Sequence, residues 1–200
     1  MSAAEPPAEL ILASTSPYRR MLLDRLGWPF RCVAPECDDA AIQAEMSGSE
    51  PSRIAEELAL RKATSPPVAN LGGTAIGCDQ LVSFEGRLFG KPGSLDRAID
   101  QLETMSGRTH ELITAMIVVR GDRMFRRTDV TRLRMRSLSR EAIERYVWAD
   151  RPMDCAGSYK LESRGIALFD RIESEDHTAI TGLPMIALTS ILRDLGYPIP

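Results

Sequence analysis

Four apolar residues in a row, Leu10-Ile11-Leu12-Ala13, open the patterned part of the chain and read as a buried strand. Ser14-Thr15-Ser16-Pro17 then supplies a turn, an N-cap and a proline suited to the first helical position, so a helix is predicted at once. Its apolar side carries Met21, Leu22, Leu23 and Leu26, and Gly27 with Pro29 closes it before a short strand over Phe30 to Ala34. A second helix is predicted over 51–64, with Ile54, Leu58 and Ala59 at helical spacing, and Ser65-Pro66-Pro67 stops it. The run from Ala75 to Phe84 is an apolar strand interrupted by Asp79 and Gln80, with a hairpin turn at Glu85-Gly86-Arg87. Leu95 to Met105 reads as a helix with Ala98, Ile99 and Leu102 inward. Glu111 to Arg120 and Met124 to Arg136 flank Gly121-Asp122 as two long antiparallel strands would. Ser139 is a natural N-cap for a helix over Arg140 to Ala149, with Glu141 in its first turn and Ile143, Tyr146 and Val147 inward. A strand over Gly165 to Ile172 and a helix from Pro184 to Leu195 complete the set.

Strands and helices mixed in this order predict an α/β (mixed α+β) fold, a long mixed sheet flanked by helices. A chain of 200 residues can bury a substantial core, and one domain over 1–200 is expected, with 1–8 as a flexible N-terminal extension. The formal net charge of -3 supplies no bulk field for nucleic acid or membrane, so any basic site must be local. Cys32, Cys37, Cys78 and Cys155 form no CxxC pair, and His110 and His177 stand in no ligand-like spacing with them, which argues against zinc. All four cysteines are expected as buried free thiols, both histidines as structural, and Trp28 and Trp148 as core. The N-terminal residues carry no basic region followed by a long apolar run, and a cytoplasmic location is expected.

The chemistry gathers in a few short stretches. Ser14-Thr15-Ser16-Pro17-Tyr18-Arg19-Arg20 joins hydroxyls, free helix N-terminal amides and two guanidiniums, the groups that bind a polyphosphate, although a capped surface helix reads the same way. Gly90-Lys91-Pro92 places a lysine directly after the hairpin, and Lys62 stands at the end of the second helix; either could equally be solvated. Asp79 is more informative, because a carboxylate among Ile76, Cys78, Leu81 and Val82 is costly to bury unless it is paired, hydrogen-bonded or metal-bound. Glu36, Asp38 and Asp39 cluster after the second strand, as a solvated acidic loop or as oxygen ligands for magnesium or manganese.

Together these stretches resemble the Maf family of nucleotide pyrophosphatases, through LASTSPYRR, PECDD, LALRKA, AIGCDQ, GKP, MSGRTHELIT, DCAGSYKLESRG and TGLPMIAL, in that order from Leu10 almost to the C-terminus. The resemblance implies two lobes around a nucleotide cleft and hydrolysis of a nucleoside triphosphate to monophosphate and diphosphate with a divalent cation, Mg2+ or Mn2+. It puts the proton acceptor at Asp79 and phosphate binding at Ser14, Arg19, Arg20, Lys62 and Lys91, with Asp38, Asp39 and Asp79 toward the metal. The implied partner is a small nucleotide, not nucleic acid or membrane, and a homodimer stays open.

One branch of the family resembles pyrophosphatases for dTTP and UTP, with arginine after the SxSP proline, threonine after the catalytic aspartate and glutamine in the late glycine-rich segment. Here Tyr18, Gln80 and Glu162 stand there, a combination similar to the 7-methyl-GTP branch, with tyrosine where tryptophan is the more familiar aromatic. Methylation at N7 makes guanine cationic, so an aromatic face attracts it, and a carboxylate accepts from its N1 and N2 donors. The expected activity is conversion of 7-methyl-GTP to 7-methyl-GMP, a house-cleaning role against modified nucleotides. The alternatives are the same reaction on dTTP, UTP or another non-standard nucleotide, or a nucleotide-binding regulator of septum formation.

Overall fold

A computed structural model describes residues 7–199. Its elements in chain order are β1 (Leu10–Ala13), α1 (Pro17–Asp24), β2 (Phe30–Cys32), α2 (Asp39–Glu45), α3 (Pro51–Ala63), α4 (Pro66–Ala69), β3 (Thr74–Phe84) and β4 (Arg87–Phe89), followed by α5 (Leu95–Met105), β5 (Thr109–Arg120), β6 (Arg123–Met135), α6 (Arg140–Asp150), β7 (Phe169–Glu173), α7 (His177–Ile180) and α8 (Met185–Asp194). The strands make one seven-stranded mixed sheet in the order β2-β1-β3-β5-β6-β7, with β4 alongside β3. β1 lies parallel to β2 and β3, and all other pairs are antiparallel.

Alternation along β3 and β5 sorts the core onto two faces. On one face Leu81, Ile113, Ala115 and Ile117 pack against Ile42 of α2 and Ile54, Leu58 and Ala59 of α3. The other face carries two separate apolar clusters. Ile76, Cys78, Met116 and Val118 meet Leu22 and Leu23 of α1 and Leu188 and Leu192 of α8. Farther along, Val82 and Leu112 meet Leu102 of α5, Ile143 and Val147 of α6, and Tyr159. Between the two clusters lie Gln80 and Thr114, directly opposed across the β3–β5 ladder. A polar pair thus divides two apolar helical layers.

Most predicted elements are present, and the departures have physical causes. The stretch predicted as strand from Gly165 begins as a 3-10 turn, Arg164–Leu168, because Gly165 N donates to Lys160 O at 3.0 Å and packs too tightly on Lys160 for a ladder; only Phe169–Glu173 joins the sheet. The acidic loop is in part a helix, with Asp38 as the N-cap of α2 and its Oδ1 accepting from Ala41 N at 3.0 Å. α4 and α7, four residues each, escaped prediction because neither has room for a helical period.

Of the cysteines only Cys78 is buried; Cys32 is exposed and Cys37 and Cys155 are half-buried, all as free thiols. Trp28 packs edge-on against Tyr197, but Trp148 is 59% exposed on α6 with the Arg151 guanidinium over its ring, so it is not a core residue. Within the expected N-terminal extension, residues 1–6 lie outside the described residues, and Ala8 O accepts from the Tyr197 hydroxyl at 2.6 Å. No helix among the described residues is long and apolar enough to cross a membrane.

Candidate active site

β3 changes neighbours in mid-course. β1 accompanies it from Thr74 to Gly77 and β4 from Val82 to Phe84, so Cys78 to Leu81 have β5 on one side and no described strand on the other. The chain leaves β1 at Ala13, opposite Gly77, and runs into Ser14. It leaves the antiparallel β4 at Phe89, opposite Val82, and Gly90-Lys91 therefore heads toward the same gap from the other end. Divergence of connections at an open strand edge is where α/β sheets receive ligands. Asp79 and Gln80 sit in this gap, on opposite faces of the sheet.

Asp79 lies on the α3 face, 6% exposed, and its Oδ1 accepts from Lys62 Nζ at 2.5 Å. Lys62 comes within reach because α3 lies almost on the backbone of β3. A Cβ at Gly77 would stand 2.2 Å from Ala59 O and 2.6 Å from Ala63 N, so only glycine allows this approach. The same Nζ donates to Asp39 Oδ2 at 2.9 Å, which draws the start of α2 to the site. Burial raises the Asp79 carboxyl above the ordinary carboxylate range, against the pull of Lys62 and Arg19. Burial works against the charge on Lys62 too, but Asp79 and Asp39 outweigh it and hold the ammonium above the ordinary lysine value. Cys37 stands beside the trio, and burial together with Asp39 pushes its thiol up to about 11, so it stays protonated at neutral pH.

α1 begins at this gap. Ser16 caps it by accepting from Arg19 N, with Pro17 in the first turn, and Ser14 Oγ accepts from Ser16 N at 3.1 Å. Arg19 Nη1 lies 3.5 Å from Ser14 Oγ and its Nε donates to Gly182 O at 2.9 Å, which sets the guanidinium near Asp79. Arg20 is exposed, 3.9 Å from Asp24, and does not join this group. Lys91 is exposed and makes no ion pair with the described residues. The segment just before it is tied down by Gln101, whose Nε2 donates to Gly90 O at 3.2 Å.

Tyr18, half-buried on the first turn of α1, faces the loop that follows α6. Burial raises its phenol pKa, and the nearby Glu162 carboxylate adds to the rise while Lys160 opposes it. Tyr18 and Glu162, far apart in sequence, are thus neighbours beside the turn that opens α1. Gln80 behaves differently. Its Nε2 lies 2.9 Å from Thr114 Oγ1, 3.0 Å from Ala179 O and 3.1 Å from Ile180 O, and two of these are carbonyls that can only accept, so the amide nitrogen must face them.

The structure therefore joins Ser14, Arg19, Lys62, Asp79 and Asp39, sets Tyr18 with Glu162, and leaves Arg20 outside. Asp38, Asp39 and Asp79 do not form a three-ligand group; among the described residues no cluster of three His, Cys, Asp or Glu side chains is arranged for a metal. Gly77, Thr114 and Gly182 also shape the site and were not singled out from the sequence. A glycine inside an apolar strand could have marked Gly77, whereas nothing local marks Thr114.

The sequence profile described as "Maf-like protein" matches residues 9–195. A protein of Bdellovibrio bacteriovorus named 7-methyl-GTP pyrophosphatase is 51% identical over 94% of this chain and 98% of its own. Proteins of the same name from Xanthomonas axonopodis pv. citri and Bordetella pertussis are 46% and 44% identical, covering 96% and 95% of this chain and 98% and 94% of theirs. With a profile spanning nearly the whole chain and relatives this similar from end to end, the protein belongs to the Maf-like family.

Proposed function

We propose that the protein hydrolyses 7-methyl-GTP to 7-methyl-GMP and diphosphate. The observation that carries this reading is the buried Lys62–Asp79 pair in the sheet gap, beside Arg19 and Ser14, in a chain whose relatives bear that name. In the free protein the Lys62 ammonium bridges Asp79 and Asp39; an incoming triphosphate offers it competing anions, and Arg19 and Lys91 add positive charge. Water attacks the α phosphorus, its bond to the bridging oxygen breaks, diphosphate leaves, and Asp79 accepts the proton of the water.

Asp39 and Asp79 already converge on one cation, the Lys62 ammonium, and such a pair of carboxylates with phosphate oxygens suits magnesium or manganese. Asp38 fits less well, because it caps α2. The chemistry such a cation supplies when bound is charge neutralisation and water activation. At the base end, Tyr18 stacks on the cationic ring and Glu162 accepts from N1 and N2.

The test is a hydrolysis screen over normal and modified nucleoside triphosphates, with diphosphate and orthophosphate measured separately, with and without chelator. Diphosphate as first product, a divalent-cation requirement and preference for 7-methyl-GTP over UTP and dTTP are expected. Orthophosphate as first product, or full activity in excess chelator, would sink the mechanism.

A further inference from the structure

Gln80 and Arg19 meet through one short segment. Residues 179–182 cross the polar seam between the two apolar clusters, and three side chains tie them down. Gln80 Nε2 donates to the carbonyls of Ala179 and Ile180, and Thr114 Oγ1 donates to Ala179 O at 2.9 Å. At the far end, Gly182 O accepts from Arg19 Nε at 2.9 Å. Gly182 has φ +105°, a left-handed conformation that side-chain-bearing residues avoid, and a Cβ there would stand 3.2 Å from Arg19 Nε. The segment is also braced from behind: Asp176 accepts from Thr178 N at 2.9 Å and Ile186 N at 2.8 Å, and Thr178 Oγ1 accepts from Met185 N at 2.8 Å. Its carbonyls therefore cannot drift independently of α8.

We propose that Gln80, Thr114 and Gly182 are positioning residues for phosphate binding, a polar strap that fixes the Gly182 carbonyl so that it aims the Arg19 guanidinium at the polyphosphate. The Arg19–Gly182 bond occupies Nε and the Ser14 hydroxyl lies 3.5 Å from Nη1, which leaves Nη2 and the remaining Nη1 hydrogen for the ligand. A free arginine would have to lose several rotatable bonds on binding; this one is held beforehand. Gln80 then serves the phosphates through the strap and not the base directly. A threonine at that position, two bonds shorter, would not span to the 179–180 carbonyls.

The inference rests on the polyphosphate reading of the site, and the experiment separates the two. Binding of inorganic tripolyphosphate, which has no base, is measured by calorimetry for wild type, Gln80→Glu, Thr114→Val, Thr114→Ser and Gly182→Ala, each also in an Arg19→Ala background. Thermal denaturation checks that each variant folds. Gln80→Glu, Thr114→Val and Gly182→Ala are expected to weaken tripolyphosphate binding about tenfold or more, as loss of an aimed charged hydrogen bond does, and Thr114→Ser to retain it. In nucleotide turnover the same variants should raise KM for 7-methyl-GTP and UTP by one common factor. In the Arg19→Ala background the effects should vanish, since nothing remains to be aimed. Undiminished tripolyphosphate binding with a changed 7-methyl-GTP to UTP ratio would make Gln80 a base contact and overturn the proposal, as would equal losses with and without Arg19. Should Gly182→Ala fail to fold, the Gln80 and Thr114 variants decide alone. Wild type that binds tripolyphosphate but hydrolyses no nucleotide would overturn the proposed reaction and leave the strap standing.

Discussion

Replacing Gly77 by alanine tests whether the close approach of α3 to β3 is what builds the site. The added methyl carbon would lie 2.2 Å from Ala59 O, 2.6 Å from Ala63 N and 2.8 Å from Ala63 Cβ, where ordinary contact begins near 3.4 Å. Two of the three obstacles are backbone atoms of a helix, which cannot rotate aside as a side chain can. α3 must therefore move off the sheet by roughly 1 Å, and overpacking of this kind costs about 1 to 3 kcal/mol. Lys62 lies between these two positions in the chain sense, one residue from Ala63, and its Nζ is 2.5 Å from Asp79. Displacement of that order at a reacting centre can lower turnover by about a hundredfold. Urea denaturation and steady-state hydrolysis of 7-methyl-GTP measure the two effects on one preparation. A Gly77→Ala protein with an unchanged urea midpoint and normal kcat/KM would show that α3 has slack, and that the glycine is not what brings Lys62 to Asp79.

Asp79→Asn should fold, since Lys62 keeps Asp39 as a partner, and should lose turnover about a hundredfold or more with much less effect on substrate binding; near-normal turnover would reduce Asp79 to a structural ion-pair partner. Because burial raises the Asp79 carboxyl, the acidic limb of the pH–rate profile should lie above the ordinary carboxylate range and disappear in that variant. Tyr18→Ala should remove a stacking contact of about 1 to 3 kcal/mol, and Glu162→Gln one matched guanine donor, so both should narrow the ratio of kcat/KM for 7-methyl-GTP over UTP; a uniform loss on every nucleotide would contradict base selection. His110 is buried against Tyr159, and burial lowers its pKa from 6.5 to about 4. Below pH 6.5 the unfolded chain takes up a proton that the folded one refuses until about pH 4, so stability should fall by up to about 3 kcal/mol across that window. Urea midpoints at pH 7 and pH 5 should show a smaller drop in His110→Phe than in wild type, and an equal drop would assign the acid sensitivity elsewhere.

Chain-local signals determined most of the elements and the chemical inventory. Apolar runs marked β1 and β3, the Gly121-Asp122 turn marked β5 and β6, helical spacing marked the longer helices, Ser16 and Pro17 marked the start of α1, and Asp79 stood out because an apolar strand has no use for an unpaired carboxylate. What pairs with Asp79 was not legible, since Lys62 and Arg19 approach it from separate segments, Asp39 joins only through Lys62, and only the placement of α1, α2 and α3 around the gap in β3 brings them together. Tyr18 and Glu162 were recognisable as residue types, but their adjacency depends on the loop after α6 folding back over α1. Gln80 shows the difference most clearly. The sequence marks it only as one of three residues whose combination is similar to the 7-methyl-GTP branch, whereas its partners are carbonyls of residues about a hundred positions away, and a hydrogen bond depends on where its partner is in space, which no local pattern along the chain records.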